Sequence, residues 1–217
     1  MTVSAVRDLH PRLRRLTFAA SEFADFAVEG PDECFGWLLP ADGRPHLRWY
    51  TVREHRPAAA EIDVDVVLHG DTGPASRFAA AARPGDTAGF RSSGAAYAPP
   101  DGCRTQLLLG DETSMPALAA IVESLGPDSS GVRAVVELPD PSWTYDVGGS
   151  VAVEWRHRGD QPPGSCLREA VAGEPGPLDY AWVCAEASGV RAVRRRLIDG
   201  WRLDRRRITF SGYWRQG

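Results

Sequence analysis

A chain of 217 residues can bury one large hydrophobic core or two small ones, so one or two domains are expected. An apolar content of 43% with seven Trp is that of a globular protein and excludes a disordered chain. The net charge of -4 is mild and gives no indication of a nucleic-acid partner.

The basic residues and the cysteines narrow the expectations further. All 25 basic residues are Arg, so every cation is a planar, permanently charged group suited to carboxylates and phosphates. The cysteines lie far apart without the spacing of a metal site, which predicts free thiols in a reducing compartment and no protein-bound metal; they are Cys34, Cys103, Cys166 and Cys184. The sequence has no signal-peptide pattern and no apolar run long enough for a membrane span, which predicts a cytoplasmic protein.

The N-terminal half shows short strand patterns separated by turns, followed by one helix. The clearest alternation places Ile62, Val64 and Val66 on one face of a strand, with Asp63 and Asp65 on the other. The predicted strands are 13–19, 36–40, 46–54, 61–69 and 86–90, and the predicted helix is 75–82. Short strands joined by turns favour an antiparallel barrel.

The C-terminal half alternates strands with helices. The predicted strands are 106–109, 132–138, 151–155, 180–184 and 207–210, and the predicted helices are 117–125, 167–172 and 189–199. This alternation is typical of a parallel sheet with crossover helices, as in nucleotide-binding proteins. Ligands bind beyond the carboxyl ends of such strands, where residues 111–116 and 185–188 are expected to lie. The domain boundary is predicted near 98–104.

The segment 48–53 combines side chains that suit a flavin nucleotide. The Arg48 guanidinium, the Tyr50 ring and the Thr51 hydroxyl are suited to a phosphate, a flat ring system and a ring nitrogen. Strand alternation places Arg48 and Tyr50 on one face, and Thr51 and Arg53 on the other. A flat strand therefore cannot direct all of them at one ligand, so either the strand bends or Arg53 has a structural role. An ordinary amphipathic strand is the alternative.

The turn before the first predicted helix is a candidate phosphate site. Gly73 permits a tight turn and Pro74 suits the first helical position, so free backbone N–H groups and a partial positive charge are expected there. A plain turn leading into a connecting helix is the alternative. The turn after residue 109 is less suited to phosphate, because Gly110 stands alone and Asp111 and Glu112 would repel a pyrophosphate. Helix capping by Asp111 or Thr113 is the alternative there.

The C-terminal end of the chain is locally basic. Nine Arg stand against two Asp between residues 189 and 217. These Arg form either a solvated helix face or a cationic rim for an anionic ligand. Tyr213 and Trp214 lie close to the C-terminus, where aromatic side chains usually pack on an apolar surface.

Four spaced motifs, in this order, resemble the siderophore-interacting proteins, which are flavin-dependent ferric-siderophore reductases related to the ferredoxin–NADP reductase superfamily. The motifs are Arg48-x-Tyr50-Thr51-x-Arg53; Asp65-Val66-Val67-Leu68-His69-Gly70 with Gly73-Pro74-Ala75-Ser76; Gly110-Asp111-Glu112-Thr113 with Pro116-Ala117; and Gly212-Tyr213-Trp214-Arg215-x-Gly217. The resemblance implies a six-stranded antiparallel β-barrel that binds FAD at 1–100 and an α/β NAD(P)H-binding-like domain at 101–217.

The resemblance also implies residue roles. Arg48 would contact the FAD pyrophosphate, Tyr50 would pack on the isoalloxazine, and Thr51 would donate a hydrogen bond near flavin N5. The implied cofactor-binding residues are Arg48, Tyr50, Thr51, Arg53, Val67, His69, Thr72, Gly73, Ala75 and Ser76. The donor-domain residues are Gly110, Asp111, Glu112, Thr113, Pro116 and Glu186. The substrate or lid residues are Arg191, Tyr213, Trp214 and Arg215.

The implied reaction transfers electrons from NAD(P)H, or from reduced ferredoxin, through FAD to the Fe(III) of a siderophore. No acid or base catalyst is needed, because electron transfer would occur at the flavin edge near Thr51. Two alternatives remain open: a flavin reductase that serves a protein or a free acceptor, and a flavin-free module that binds a siderophore without turnover.

Overall fold

The computed structural model describes residues 1–39, 44–68, 73–145 and 147–217. These residues divide into two compact units, Met1–Ala96 and Tyr97–Gly217. No helix within the described ranges is both long enough and apolar enough to cross a membrane.

The N-terminal unit consists of antiparallel strands and one α-helix. Its strands are β1 (Thr2–His10), β2 (Leu13–Ala19), β3 (Cys34–Leu39), β4 (His46–Thr51), β5 (Glu54–Arg56), β6 (Glu61–Val67) and β7 (Gly89–Gly94), and its helix is α1 (Pro74–Ala81). One sheet has the order β1-β2-β6-β5 and the other has the order β4-β3-β7. The described strands therefore number seven in two sheets, so the expectation of six strands in one barrel is met only in its antiparallel character.

Backbone hydrogen bonds connect the two sheets where the predicted strand 46–54 divides. The Val52 N–H donates to the Glu33 carbonyl at 2.8 Å, and the Arg53 N–H donates to the Asp63 carbonyl at 2.8 Å. Before residues 52–53 the chain is hydrogen-bonded to β3, and after them it is hydrogen-bonded to β6. At the other margin, the Ala88 N–H donates to the Met1 carbonyl at 3.0 Å. The predicted strand 46–54 is thus interrupted at residues 52–53, between β4 and β5.

The core of this unit follows the predicted alternation of β6. Ile62, Val64 and Val66 are fully buried in one cluster with aromatic residues of β2 and β3. Phe18 packs edge-on against Trp37, with ring centroids 5.4 Å apart. Burial of these side chains stabilises the unit by roughly 1.5–3 kcal/mol each before entropy costs.

The C-terminal unit is a parallel sheet with helical crossovers. Its strands are β8 (Gln106–Asp111), β9 (Val132–Leu138), β10 (Val153–His157), β11 (Tyr180–Glu186) and β12 (Ile208–Trp214), and its α-helices are α2 (Met115–Ser124), α3 (Ser165–Ala170) and α4 (Ala187–Arg195). The strand order is β10-β9-β8-β11-β12, with every pair parallel. All residues of β8 and β11 are buried, because helices cover such sheets on both faces.

The carboxyl ends of these parallel strands lie at one edge of the sheet. We call this the carboxyl edge; it includes Asp111 at the end of β8, Glu186 at the end of β11 and Trp214 at the end of β12. Glu186 and Trp214 are register partners. The turns that precede α2 and α4 begin there, so the fold brings the predicted donor-domain segments together.

Candidate functional site

In the N-terminal unit, β4 presents three of the predicted cofactor-binding side chains. The Tyr50 ring packs edge-on against Trp37, with centroids 5.0 Å apart. Burial raises the pKa of Tyr50 to about 12, against a smaller opposing effect of the Arg48 charge, so the phenol is neutral at working pH. Within the described residues, the hydroxyls of Tyr50 and the buried Thr51 have no hydrogen-bond partner. Arg48 is exposed and donates one hydrogen bond, to the Leu47 carbonyl at 2.8 Å.

Arg53 lies between β4 and β5 and faces a carboxylate of β6. Its Nε is 3.8 Å from Asp65 Oδ2, and the Asp65 side chain is fully buried. Arg15 holds the same carboxylate with two hydrogen bonds, Nε to Oδ1 at 2.6 Å and Nη2 to Oδ2 at 2.8 Å. This ion pair gives Arg53 the structural role that strand alternation left open for it.

Helix α1 is fixed near β4 through aromatic contacts. Its Phe78 ring packs edge-on against Trp37 at 5.3 Å, and Trp37 is the same ring that contacts Tyr50. At the far end of α1, Arg14 Nη1 donates to the carbonyls of Ala79 at 3.0 Å and Ala80 at 2.8 Å.

The N-terminus of α1 has the features of an anion site. Gly73 is the N-cap residue, Pro74 occupies the first turn, and among the described residues no side chain caps the helix. Ala75 and Ser76 are buried in this turn, and Val67, at the end of β6, is also buried. The predicted residues His69 and Thr72 lie outside the described residues. A guanidinium, an aromatic ring, two hydroxyls and a helix N-terminus are a donor set that fits a flavin nucleotide.

In the C-terminal unit, Asp111 joins three chain segments at the carboxyl edge. Its Oδ1 accepts hydrogen bonds from the Thr113 N–H at 2.9 Å and the Thr113 hydroxyl at 2.6 Å. Its Oδ2 accepts from the Glu186 N–H at 2.8 Å and from Trp214 Nε1 at 2.8 Å. The fold therefore brings together residues that are far apart in the sequence, with 103 positions between Asp111 and Trp214.

Burial dominates the protonation of Asp111, which is 2% exposed. Desolvation raises its pKa to about 6, and the nearby Glu112 carboxylate adds to the increase. Hydrogen bonds from Thr113 and Trp214 oppose this effect. Asp111 is thus a carboxylate at neutral pH that takes up a proton in mild acid.

Glu112 forms an ion pair with Arg158, which the sequence did not indicate. Arg158 donates from Nη1 to Oε2 at 2.9 Å and from Nη2 to Oε1 at 2.6 Å. Arg158 Nη1 also lies 3.6 Å from Oε1 of the fully buried Glu137. Glu137 accepts hydrogen bonds from the N–H groups of Gly164 and Cys166 at 2.6 and 2.7 Å. The sequence signal for Glu137 is a charged residue next to the apolar run 134–136 of β9.

Glu186 caps helix α4. Its Oε2 accepts hydrogen bonds from the Ser188 N–H at 2.6 Å and the Gly189 N–H at 3.0 Å. Burial alone would raise the pKa of Glu186, but these hydrogen bonds, together with one from the backbone of Gln216, lower it below its ordinary value. Glu186 is therefore charged at neutral pH.

The remaining predicted residues of this unit differ in exposure. Gly110 is required by close packing, because a Cβ there would lie 2.6 Å from Ser114 Oγ. Pro116 is buried in the first turn of α2. Tyr213 is 41% exposed, and Arg191 and Arg215 are exposed. The structure thus gathers Asp111, Thr113, Glu186 and Trp214 at the carboxyl edge, and leaves these two cations on the surface.

This combination of an antiparallel β unit with a parallel α/β unit defines the class of protein. A solved ferredoxin–NADP⁺ reductase from Neisseria gonorrhoeae has the same fold, with a TM-score of 0.72 and 16% identity over 98% of this chain and 97% of that chain. The ferredoxin–NADP reductase-like fold predicted from the sequence is thereby supported.

Family models identify the chain more narrowly than the fold does. The family described as "Siderophore-interacting protein" matches residues 103–217, and the "Siderophore-interacting FAD-binding domain" matches residues 31–97. The chain belongs to the siderophore-interacting protein family, and the resemblance drawn from the four spaced motifs is confirmed.

The chain is also similar to individual proteins. A siderophore-interacting protein from Aeromonas hydrophila has a crystal structure with a TM-score of 0.88 and 30% identity, over 100% of this chain and 90% of that chain. An uncharacterized protein of Mycobacterium tuberculosis is 34% identical over 99% of this chain and 89% of its own length. A ferric vibriobactin reductase of Vibrio cholerae is 27% identical over 80% of this chain and 66% of its own length.

Proposed function

We propose that this protein is an FAD-dependent reductase that transfers electrons from NAD(P)H or reduced ferredoxin to Fe(III)-siderophores and releases Fe(II) for iron acquisition. The observation that carries the proposal is the donor set on β4 and at the start of α1, within a segment that matches a siderophore-interacting FAD-binding domain. Similarity to a ferric vibriobactin reductase supports the same reaction.

Each side chain of the donor set has a distinct role in this proposal. Arg48 would bind the FAD pyrophosphate through charge-assisted hydrogen bonds, and the backbone N–H groups of residues 73–76 would bind it from the helix terminus. Tyr50, held by Trp37, would orient the isoalloxazine ring, and the Thr51 hydroxyl would donate a hydrogen bond near N5. FAD, when bound, supplies the ability to accept two electrons together and pass them on one at a time.

The electron balance of the reaction is simple. Oxidation of one NAD(P)H to NAD(P)⁺ reduces two Fe(III) to two Fe(II) and releases one proton. Fe(II) binds anionic oxygen ligands less strongly than Fe(III), so the reduced metal dissociates from the siderophore. The task of the protein is therefore to bind and orient, and no side chain needs to act as an acid or a base. Exposed cations such as Arg191 and Arg215 would attract an anionic ferric complex.

Two expectations from the sequence belong to the proposal. We infer that β4 and β5 act as one bent strand, which would make the antiparallel strands a six-membered barrel around the flavin-binding face. A cytoplasmic location is the second expectation, since the proposed donors are cytoplasmic reductants.

The binding part of the proposal is tested by the affinity for FAD. We expect Arg48→Ala to weaken FAD binding by about 1.5–3 kcal/mol, or roughly ten- to a hundredfold in Kd, because a charge-assisted hydrogen bond is lost. Flavin fluorescence during titration of the apoprotein measures this Kd. Arg83→Ala removes another exposed guanidinium of the same unit and is the matched control. Equal affinities for both variants would contradict the assignment of Arg48, and no FAD uptake by the native protein would end the proposal.

The catalytic part is tested by trapping Fe(II). The FAD-loaded protein is mixed with several ferric siderophores, an Fe(II) chelator and, in turn, NADH, NADPH or reduced ferredoxin. We expect chelated Fe(II) to form faster than with the same concentration of free FAD. Flavin reduction without faster iron release would favour a flavin reductase for another acceptor. Siderophore binding without any electron transfer would favour a non-catalytic binding module.

A further inference from the structure

The carboxyl edge of the C-terminal sheet is where proteins of this architecture present free backbone N–H groups to phosphates. In this chain, N–H groups in the turn before α2 and in the first turn of α4 already have carboxylate partners from the chain itself. Before α2, Asp111 Oδ1 accepts from the N–H groups of Thr113 at 2.9 Å and Ser114 at 3.4 Å. Before α4, Glu186 Oε2 accepts from the N–H groups of Ser188 at 2.6 Å and Gly189 at 3.0 Å.

The C-terminal residues 214–217, which we call the tail, interact with the same two carboxylates. Trp214 Nε1 donates to Asp111 Oδ2 at 2.8 Å, and the backbone of Gln216 helps to lower the pKa of Glu186. The Glu186 N–H in turn donates to Asp111 Oδ2 at 2.8 Å. The ends of β8, β11 and β12 are thus connected through two buried side chains, which are 2% and 4% exposed.

The charge at this edge is also unsuited to a pyrophosphate. Asp111, Glu112 and Glu186 are all buried there, and Arg158 pairs with only Glu112 among them. A pyrophosphate would have to displace the carboxylates from the N–H groups while it met their charge at short range in a desolvated setting, where repulsion is strong. The capped N-terminus of α4 and the turn that leads into α2 are therefore both unsuited to the pyrophosphate of a dinucleotide.

We propose that Asp111 and Glu186 are specificity-determining residues that close the carboxyl edge to the pyrophosphate of a dinucleotide. The electron donor then either is a protein or uses contacts other than a pyrophosphate held at α2 or α4. This inference rests on the proposed function, because it concerns the donor of that reaction. It goes beyond it by naming the chemical group that the donor site rejects.

The test measures binding of ADP-ribose, which carries the pyrophosphate without the redox-active ring. Titration calorimetry is done on protein saturated with FAD, so that the adenine site of the N-terminal unit is filled. For the native protein we expect no saturable binding up to millimolar concentrations. Glu186→Ala removes both the charge and the capping oxygens, and we expect it to bind at least tenfold more tightly. Glu186→Gln keeps an acceptor oxygen and should lie between the two. Glu174→Gln, which removes an exposed charge of the same unit, should match the native protein.

Two results would overturn the inference. One is saturable binding of ADP-ribose to the native protein with a Kd below about 0.1 mM, or about -5.5 kcal/mol. The other is equal binding by native protein, Glu186→Ala and Glu186→Gln. If Glu186→Ala does not fold, the native protein and Glu186→Gln still decide the question. The samples also report FAD content, so a failure of the proposed function appears as absent flavin, whereas a failure of this inference appears as tight ADP-ribose binding.

Discussion

The hydrogen bond between Trp214 and Asp111 should be a measurable part of the stability of the C-terminal unit. Trp214→Phe keeps an aromatic ring but removes the Nε1–H that donates to Asp111 Oδ2 at 2.8 Å. A hydrogen bond to an ionised group contributes about 1.5–3 kcal/mol, so the free energy of unfolding should fall by that amount. Asp111 keeps its bonds from Thr113 and Glu186, so the loss should not reach the larger cost of an unpaired buried charge.

Urea unfolding followed by far-ultraviolet circular dichroism measures this loss. A double-mutant cycle of Trp214→Phe with Asp111→Asn isolates the interaction between the two side chains, which we expect to exceed about 1 kcal/mol. Trp49→Phe is the control, because Trp49 is 54% exposed and should change the stability by less than about 0.5 kcal/mol. The reasoning fails if the two Trp variants are equally stable and the coupling energy is near zero.

Two further substitutions test the packing that positions the site. Asp65→Asn removes the fully buried carboxylate to which Arg15 donates two hydrogen bonds, and it should cost about 1.5–3 kcal/mol. Asp8→Asn, in an ion pair where Asp8 is 62% exposed, should cost less than about 1 kcal/mol; thermal unfolding compares the two variants, and equal losses would contradict the argument. Gly110→Ala places a Cβ 2.6 Å from Ser114 Oγ and should cost about 1–3 kcal/mol, whereas Gly126→Ala meets nothing within 4 Å; a Gly110→Ala protein as stable as that control would show that the turn can relax.

Apolar patterning was sufficient to predict most of the elements of the fold. Strand β9 has the predicted bounds, and β6 buries the predicted face, because the burial of apolar side chains decides both. Strand β1 was not predicted, since only Val3 among its nine residues is buried and no alternation is visible. The division of the predicted strand 46–54 depends on hydrogen bonds to β3 and β6, which are tertiary contacts that a local pattern does not contain.

For the site residues, too, local contacts could be predicted from the sequence and long-range contacts could not. A cap by Asp111 was one of the sequence alternatives, because the carboxylate lies two residues before the N–H that it binds, at Thr113. The partners of Glu112 and Glu137 were not predicted, since Arg158 is 46 positions from Glu112 and its approach depends on the strand order. The bond from Trp214 to Asp111 likewise requires β12 to lie beside β11. The residue types indicated which groups are charged or can form hydrogen bonds, and the strand order determines which of these groups meet.

Acid should affect two buried carboxylates in opposite directions. Burial raises the pKa of Asp111 from 3.8 to about 6, so the folded state binds its proton more tightly than the unfolded state does. The contribution of Asp111 to the free energy of unfolding is therefore greatest below pH 3.8 and is lost as the pH rises through about 6. For Asp63, burial alone would raise the pKa, but hydrogen bonds from Arg56 and Thr17 lower it. Its contribution is complete above the ordinary pKa and is lost as the pH falls through the folded value.

The two variants Asp111→Asn and Asp63→Asn test this difference, because each removes one titration. Between about pH 7 and pH 4.5 the native protein should gain about 2 kcal/mol of stability relative to Asp111→Asn, because the folded-state pKa of about 6 lies well above the ordinary value of 3.8. Relative to Asp63→Asn, the stability difference should stay constant over that range and shrink only in stronger acid. Urea unfolding at several pH values gives both differences. A native protein that loses stability relative to Asp111→Asn on acidification would show that hydrogen bonds, and not burial, control the protonation of Asp111. The bond from Trp214 would then require a charged acceptor, and the tail would leave the carboxyl edge in acid.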